Sequence, residues 1–254
     1  MSGRAWGTLA FVALMLTLMA LFVALGLWQV ERLGEKDALV TAVAERANLP
    51  PEPLPPLDQW ASLDPDGLDY RPLAVTGQFL SDQTVAVFTN LPEPRGRYAG
   101  AGYWLMVPFA LQGGGVLFVN RGFVPQDQLE QFRRDPATPA GTIMLTGTAR
   151  RPERGGSFTP DPDRDRRIDW ILNPQRLAAF LDPTTLPVAP LYLDLPSAGV
   201  GVLPQGGETV MSFSNRHLEY AVTWFGFAAI VPVLLGFWLF RRRREGVSLK
   251  QTHG

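Results

Sequence analysis

Twenty-six consecutive residues, Ala5 to Val30, carry no charge and are dominated by Leu, Ala, Val, Phe and Met. A helix of that length is roughly 39 Å long, enough to cross a hydrocarbon core of ~30 Å with tilt. A second uncharged run, Tyr220–Phe240, has 21 residues and reaches roughly 31 Å as a helix. Helices apolar on every face for this distance are read as membrane spans. For the first run the alternative is a cleaved signal peptide, since Ala24-Leu25-Gly26 offers a small-x-small site. The run is longer than a signal h-region and continues past that site to Trp28, which favours an uncleaved anchor.

Basic residues set the orientation. Arg4 precedes the first span, and Arg241 to Arg244 follow the second. Both termini are therefore expected in the cytoplasm and residues 31–219 outside, periplasmic in a bacterium. The net charge of −1 hides an uneven split. Residues 31–219 hold 17 basic and 23 acidic side chains, whereas the ends are strongly basic. An arginine run can also bind nucleic acid, but abutting an apolar span it reads as a stop-transfer anchor, so no nucleic-acid partner is expected.

The expected organisation is a cytoplasmic N-terminus (1–4), a first span (5–30), an outer domain (31–219), a second span (220–240) and a basic cytoplasmic tail (241–254). Within the outer domain, residues 31–47 carry a helical stripe of Leu33, Ala38, Leu39, Ala42 and Val43, read as an extension of the first span. Residues 48–69 form a Pro-rich linker: Pro50-Pro51-Glu52-Pro53-Leu54-Pro55-Pro56 reads as a semi-rigid extended spacer. Beyond it the hydrophobic period changes to two. Strands are expected at 70–79, 84–89, 103–111, 116–124, 142–149, 167–172, 191–195 and 209–214. Gln112-Gly113-Gly114-Gly115 supplies a hairpin turn between the third and fourth. Short helices fit 126–133 and 174–181, the second opened by Asn173 as cap and Pro174 at the first helical position. The fold class is an α+β membrane protein: two transmembrane helices flanking one β-rich domain built on an antiparallel sheet.

Several chemistries are excluded by residue type. The chain has no Cys, which removes disulfides, iron–sulfur clusters, thiolate zinc sites and thiol catalysis. Two histidines, His217 and His253, are too few for a multi-histidine metal cage. Gly113–Gly115 lacks the Gly-Lys-Ser/Thr of a phosphate loop. Asp161-Pro162-Asp163-Arg164-Asp165 opens like a calcium loop, then places Arg166 where Gly is needed and Leu172 where Glu is needed. A Ser-His-Asp set would have to use His217, and no nucleophile-elbow motif is present. No enzyme class is therefore expected.

One constellation stands apart. His217 lies at the outer edge of the second span, and on a helix His217, Tyr220, Ala221 and Trp224 share one face. A neutral imidazole there can ligate haem iron beside aromatic neighbours. Interfacial anchoring by Tyr and Trp, with a hydrogen-bonded His, accounts for the same residues. Met211 and Tyr220 are the other potential donors nearby.

The chain resembles the Surf1/Shy1 family of cytochrome c oxidase assembly factors, and the resemblance runs nearly end to end. Gly26-Leu27-Trp28-Gln29-Val30-Glu31-Arg32, followed by Lys36, is similar to the family's exit from its first span. Tyr70-Arg71-Pro72 through Gly77-Gln78-Phe79 resembles its first strand. Gly102-Tyr103-Trp104 with Val107-Pro108-Phe109 resembles a further strand, with Val107 where Thr is more usual. Val119-Asn120-Arg121-Gly122-Phe123-Val124-Pro125 resembles the family's most distinctive internal motif. Asn215-Arg216-His217 through Tyr220 and Thr223-Trp224-Phe225 is similar to its entry into the second span.

The resemblance implies a helper in maturing the catalytic subunit of a haem-copper oxidase, working with other assembly factors in the bacterial inner membrane. It implies haem a as the cofactor, His217 as the axial ligand of its iron, and Tyr220, Trp224 and Trp28 around the ring. The Asn120-Arg121-Gly122 motif reads structurally, as a strand end where Gly122 permits a bulge or close backbone approach. Two other functions fit the layout. One is a cofactor-free scaffold that steadies an oxidase assembly intermediate. The other is a periplasmic sensing subunit, which needs a partner for output because only 14 residues follow Phe240.

Overall fold

The computed structural model describes residues 3–133, 138–182, 187–208 and 216–251. The expected strand at 209–214 and Met211 lie outside the described residues. The chain divides into two compact units: residues 1–42 with 212–254, and residues 43–211.

The first unit is a pair of long helices. One helix runs unbroken over Gly3–Ala47, the other over His217–Gln251. Both are long and apolar enough to cross a membrane, and only 6% and 11% of their most apolar windows are buried. A core helix of a water-soluble fold would hide most of such a surface. The covered positions follow a 3.5-residue period: Phe11, Met15, Leu18, Phe22, Leu25 and Gln29 on one helix; His217, Ala221, Trp224, Ala228, Val231, Leu235 and Trp238 on the other. That period produces a knobs-into-holes seam. The ring pairs Phe11–Trp238 (4.4 Å between centroids) and Phe22–Phe227 (5.6 Å) make the pair antiparallel.

Among the described residues the second unit has eight strands: β1 (Glu52–Pro53), β2 (Pro72–Phe79), β3 (Val85–Leu91), β4 (Gly100–Leu111), β5 (Val116–Pro125), β6 (Ile143–Arg150), β7 (Ile168–Asp169) and β8 (Val188–Asp194). Hydrogen bonding runs β2-β6-β8-β5-β4 and returns to β2, a closed five-stranded barrel. The closure comes from a fork in β4. On one edge it pairs with β5 throughout. On the other it pairs first with β3, through Met106, and then with β2 at Phe109–Leu111. Phe109, Leu117, Val119, Leu191 and Leu193 are fully buried in the barrel core. Val85, Val116, Phe118 and Tyr192, of opposite parity, pack into a second core under the helix at Pro174–Leu177. Asn173 caps that helix by accepting a hydrogen bond from the Arg176 amide.

Two expectations need correction. The sheet is not purely antiparallel: β1–β2, β3–β7 and β5–β8 are parallel, while the other five pairings among the described residues are antiparallel. Residues 126–187 separate β5 from β8, a connection long enough for the crossover that a parallel neighbour demands. The Pro-rich segment is also not a free spacer. Glu52–Pro53 adds to β2, Trp60 enters the barrel core, and Leu54, Leu57, Leu63 and Leu68 pack beside it. The Trp60 indole N–H donates to the Pro55 carbonyl (2.9 Å), so the buried ring brings its polar atom in satisfied. Alternating prolines suit such an edge because the N–H they lack is not needed there.

Barrel closure depends on Gly77. A Cβ at this position would lie 2.1 Å from the Ala110 carbonyl oxygen, backbone that cannot swing away. Gly77→Ala is expected to destabilise the domain by roughly 1–3 kcal/mol, read as a lower thermal midpoint of the β signal in circular dichroism. An unchanged midpoint would show that β2 and β4 do not meet at this point.

Candidate functional site

The N-terminal helix carries Gln29, a polar amide inside an uncharged run. Left facing lipid it would hold unsatisfied donors and acceptors. It is 9% exposed, and its Oε1 lies 2.7 Å from Nδ1 of His217, the first residue of the C-terminal helix. A carbonyl oxygen only accepts, so Nδ1 donates and carries the ring proton. In the neutral imidazole the basic lone pair then belongs to Nε2. This hydrogen bond joins the two helices at one end of their seam.

Small residues and rings fill the adjacent turns. Gly26 is buried, and a Cβ there would come 2.7 Å from the Phe225 ring. Its bare backbone is therefore the surface on which Phe225 lies. Ala221 is almost fully buried on the facing helix. Trp224 turns into the seam and stacks on Phe22, 5.8 Å between centroids, with Phe227 edge-on to it.

The sequence-predicted residues thus separate. His217 and Trp224 sit in the seam. Tyr220 and Trp28 remain about half exposed, at 54% and 51%. Among the described residues no ring contact joins Trp28 to Tyr220 or Trp224. Helical geometry is the reason: Trp28 is one residue from Gln29, hence about 100° around the helix from the position that meets His217. Arg32, further along the same helix, pairs with Glu35 at 2.6 Å. Gln29 is the residue that the reading from sequence missed, although an amide in an apolar span was the available signal.

An Nδ1-protonated imidazole held by a carbonyl oxygen is the arrangement that an axial iron ligand uses: one nitrogen is fixed and the other is oriented. Exposed aromatic surface at Tyr220 and Trp28 is compatible with a flat apolar ring. His217 with its neighbours therefore fits a haem donor set chemically.

The Asn120-Arg121-Gly122 motif lies in the β unit. Between Trp104↔Phe123 and Met106↔Asn120, one residue of β4 opposes two of β5, a β-bulge at Arg121-Gly122. Gly122 has φ +130°, and a Cβ there would meet the Gln205 carbonyl carbon at 2.4 Å. Asn120 accepts from the Gly122 amide and donates to Asp194 at 2.9 Å. Arg121 reaches the Thr138 hydroxyl and lies over the Phe79 ring. The structural reading of the motif agrees with this geometry.

Comparison with known proteins identifies the class. The profile of the SURF1 family matches residues 16–229, which include both helix ends of the seam site and the whole β unit. A SURF1-like protein of Monosiga brevicollis is 31% identical over 242 residues, covering 87% of this chain and 84% of the relative. Surfeit locus protein 1 of Rattus norvegicus is 30% identical over 233 residues, covering 88% and 73%. The Homo sapiens protein of the same name is 29% identical over 235 residues, covering 88% and 75%. The chain belongs to the SURF1 family.

Two substitutions separate the seam's packing from its hydrogen bond. Gly26→Ile should drive the Phe225 ring off the helix and lower the stability of the pair by roughly 1–3 kcal/mol. His217→Ala should cost only about 1 kcal/mol, the usual size of an interhelical hydrogen bond in a membrane. Thermal melts of the detergent-purified variants check the order. The reverse order would mean that the hydrogen bond, and not the ring packing, holds the helices together.

Proposed function

We propose that this protein is a membrane-anchored assembly factor for cytochrome c oxidase, and that His217 holds haem a on its way to the catalytic subunit. The observation that supports this reading is the 2.7 Å bond from His217 Nδ1 to Gln29. It fixes the tautomer with Nε2 as the basic nitrogen, the form needed to ligate iron. Haem a is the cargo, and its iron supplies an open axial position. Gln29 holds the imidazole plane, Tyr220 and Trp28 offer aromatic surface to the ring, and Trp224 braces the turn below through Phe22. The catalytic subunit and other assembly factors are the partners in this reading.

The helices span the bacterial inner membrane, with Arg4 and the Arg241–Arg244 run in the cytoplasm and the β unit in the periplasm. The positive-inside rule carries that orientation. Reporter fusions at residues 100 and 254 are expected to report opposite compartments. The same compartment for both would mean that one helix does not cross.

The ligand assignment is tested by His217→Ala in a host that makes haem a. The variant should be inserted and folded, lose or shift the Soret band of the purified protein, and lower the yield of assembled oxidase. Trp28→Ala should weaken haem retention less. An unchanged spectrum and stoichiometry in His217→Ala would overturn the assignment and leave the cofactor-free scaffold as the function.

A further inference from the structure

A cavity of about 230 Å³ lies on the outer face of the barrel, between β5, β8 and the segment Gln205–Glu208. Its walls are set by the bulge described above. Asn120 and Asp194 are register partners on the parallel strands β5 and β8, so their side chains point the same way into it. Gly122 and Gly206 bring bare backbone to the wall: a Cβ on Gly206 would meet the Pro196 carbonyl oxygen at 2.5 Å. Trp104 forms an aromatic side, braced by Phe123.

The charges around this space do not balance. Arg150 is the cation in the lining, and it is already shared, 3.0 Å from Asp69 and 3.5 Å from Asp194. Its guanidinium also stacks on Tyr70, 4.4 Å from the ring centroid. Glu208 is 5% exposed and accepts hydrogen bonds from the Arg95 and Gly96 amides at 2.8 and 2.7 Å. Those amides satisfy its lone pairs but bring no positive charge, and no ion pair joins it among the described residues. Glu153, at the exposed mouth, accepts from the Leu172 amide at 2.8 Å and likewise has no ion pair among them. Three carboxylates, Glu153, Asp194 and Glu208, thus line the cavity with one guanidinium, while Asp69 behind Arg150 is also paired with Arg151.

An independent observation points to a ligand. Tyr192 lines the cavity and is 3% exposed, yet its hydroxyl makes no hydrogen bond among the described residues. The hydroxyl faces the cavity, so a group bound there has a hydrogen-bonding partner available. Burial pushes the Tyr192 phenol well above its ordinary range, and the Asp194 carboxylate pushes it further. The hydroxyl therefore stays neutral and can accept a hydrogen bond from a cation.

The geometry points to a docking pocket for a basic side chain, an arginine guanidinium, presented by a partner polypeptide. Among the described residues no three carboxylates or imidazoles converge as a metal-ion site, so the missing charge belongs to an extended organic cation. A planar guanidinium can stack on Trp104 while donating to several separated acceptors, which a point-like ammonium does less well. The pocket opens at Arg150, Glu153 and Tyr192 into a longer groove lined also by Pro65, Asp66, Arg151, Arg154 and Asn173, where Arg151 is already paired with Asp66 and Asp69. That groove gives the polypeptide bearing the side chain somewhere to lie. This inference is independent of haem binding at His217.

The test uses the full-length protein in detergent at low salt, by titration calorimetry. The probes are the tripeptide acetyl-Gly-Arg-Gly-amide, its neutral citrulline isostere, and agmatine as a free guanidinium. The arginine peptide should bind at least about tenfold more tightly than the citrulline peptide, as expected for charge recognition in a partly buried site. It should also bind more tightly than agmatine. Glu153→Gln keeps an oxygen for the Leu172 amide and so preserves the fold, but should weaken arginine-peptide binding several-fold. Tyr192→Phe should do the same. Equal binding of the arginine and citrulline peptides, or full affinity in Glu153→Gln, overturns the pocket. Tighter binding of agmatine than of the peptide overturns the polypeptide as source.

Discussion

The β unit depends on one strand being paired along both edges. β2 meets β6 on one side and, where it reaches Gly77, the end of β4 on the other. Without the second pairing the sheet would be open, with Gly77–Phe79 of β2 and Phe109–Leu111 of β4 left as unpaired edge segments, each a template for association with other chains. Closure encloses Phe109, Leu117 and Leu193, and those side chains in turn hold the register. The absence of one Cβ at position 77 lets the two backbones approach. The charged outer surface of the barrel, including the cavity at Tyr192, can be elaborated because this interior is already secured.

The helical unit is held together differently. Its apolar faces are left largely uncovered, so shape and the rare polar group decide how the two helices meet. Gly26 and Ala221 supply close approach, Phe22 and Trp224 supply contact area, and Gln29 with His217 supplies a directional bond at that end. The same bond that aligns the helices also selects the imidazole tautomer. Any group bound at the His217 Nε2 would therefore feel a shift of one helix along the other.

Much of this was legible in the residues. Charge-free runs gave the long helices, period-two alternation gave β2 to β6, and Gln112–Gly115 gave the β4–β5 hairpin, because each depends on neighbours in sequence. The parallel partnership of β5 with β8 was not legible, since nothing local distinguishes it from an antiparallel one. Trp60 was lost inside a proline-rich stretch whose composition suggests a spacer; only the barrel shows where its ring goes. Gln29 was visible as a polar residue in a span, but its partner lies at the far end of the chain. The cavity was invisible for a similar reason: Asp69, Arg150, Tyr192 and Glu208 come from separate elements and match no motif of fixed spacing.

The parallel β5–β8 pairing has a consequence for synthesis on the ribosome. The β4–β5 hairpin is complete once residue 125 has emerged, and β6 can join β2 soon after. β8 is the stave between β5 and β6, so the barrel cannot close until Asp194 has left the ribosome. By then the N-terminal helix, Gly3–Ala47, has long since emerged. During that interval the inner faces of β2, β5 and β6, with Leu73, Leu117 and Ala149, have no completed core to enter. Nascent chains of this protein therefore present an unclosed, aggregation-prone sheet for the time needed to translate residues 126–194, the stage at which a shielding chaperone would act on it.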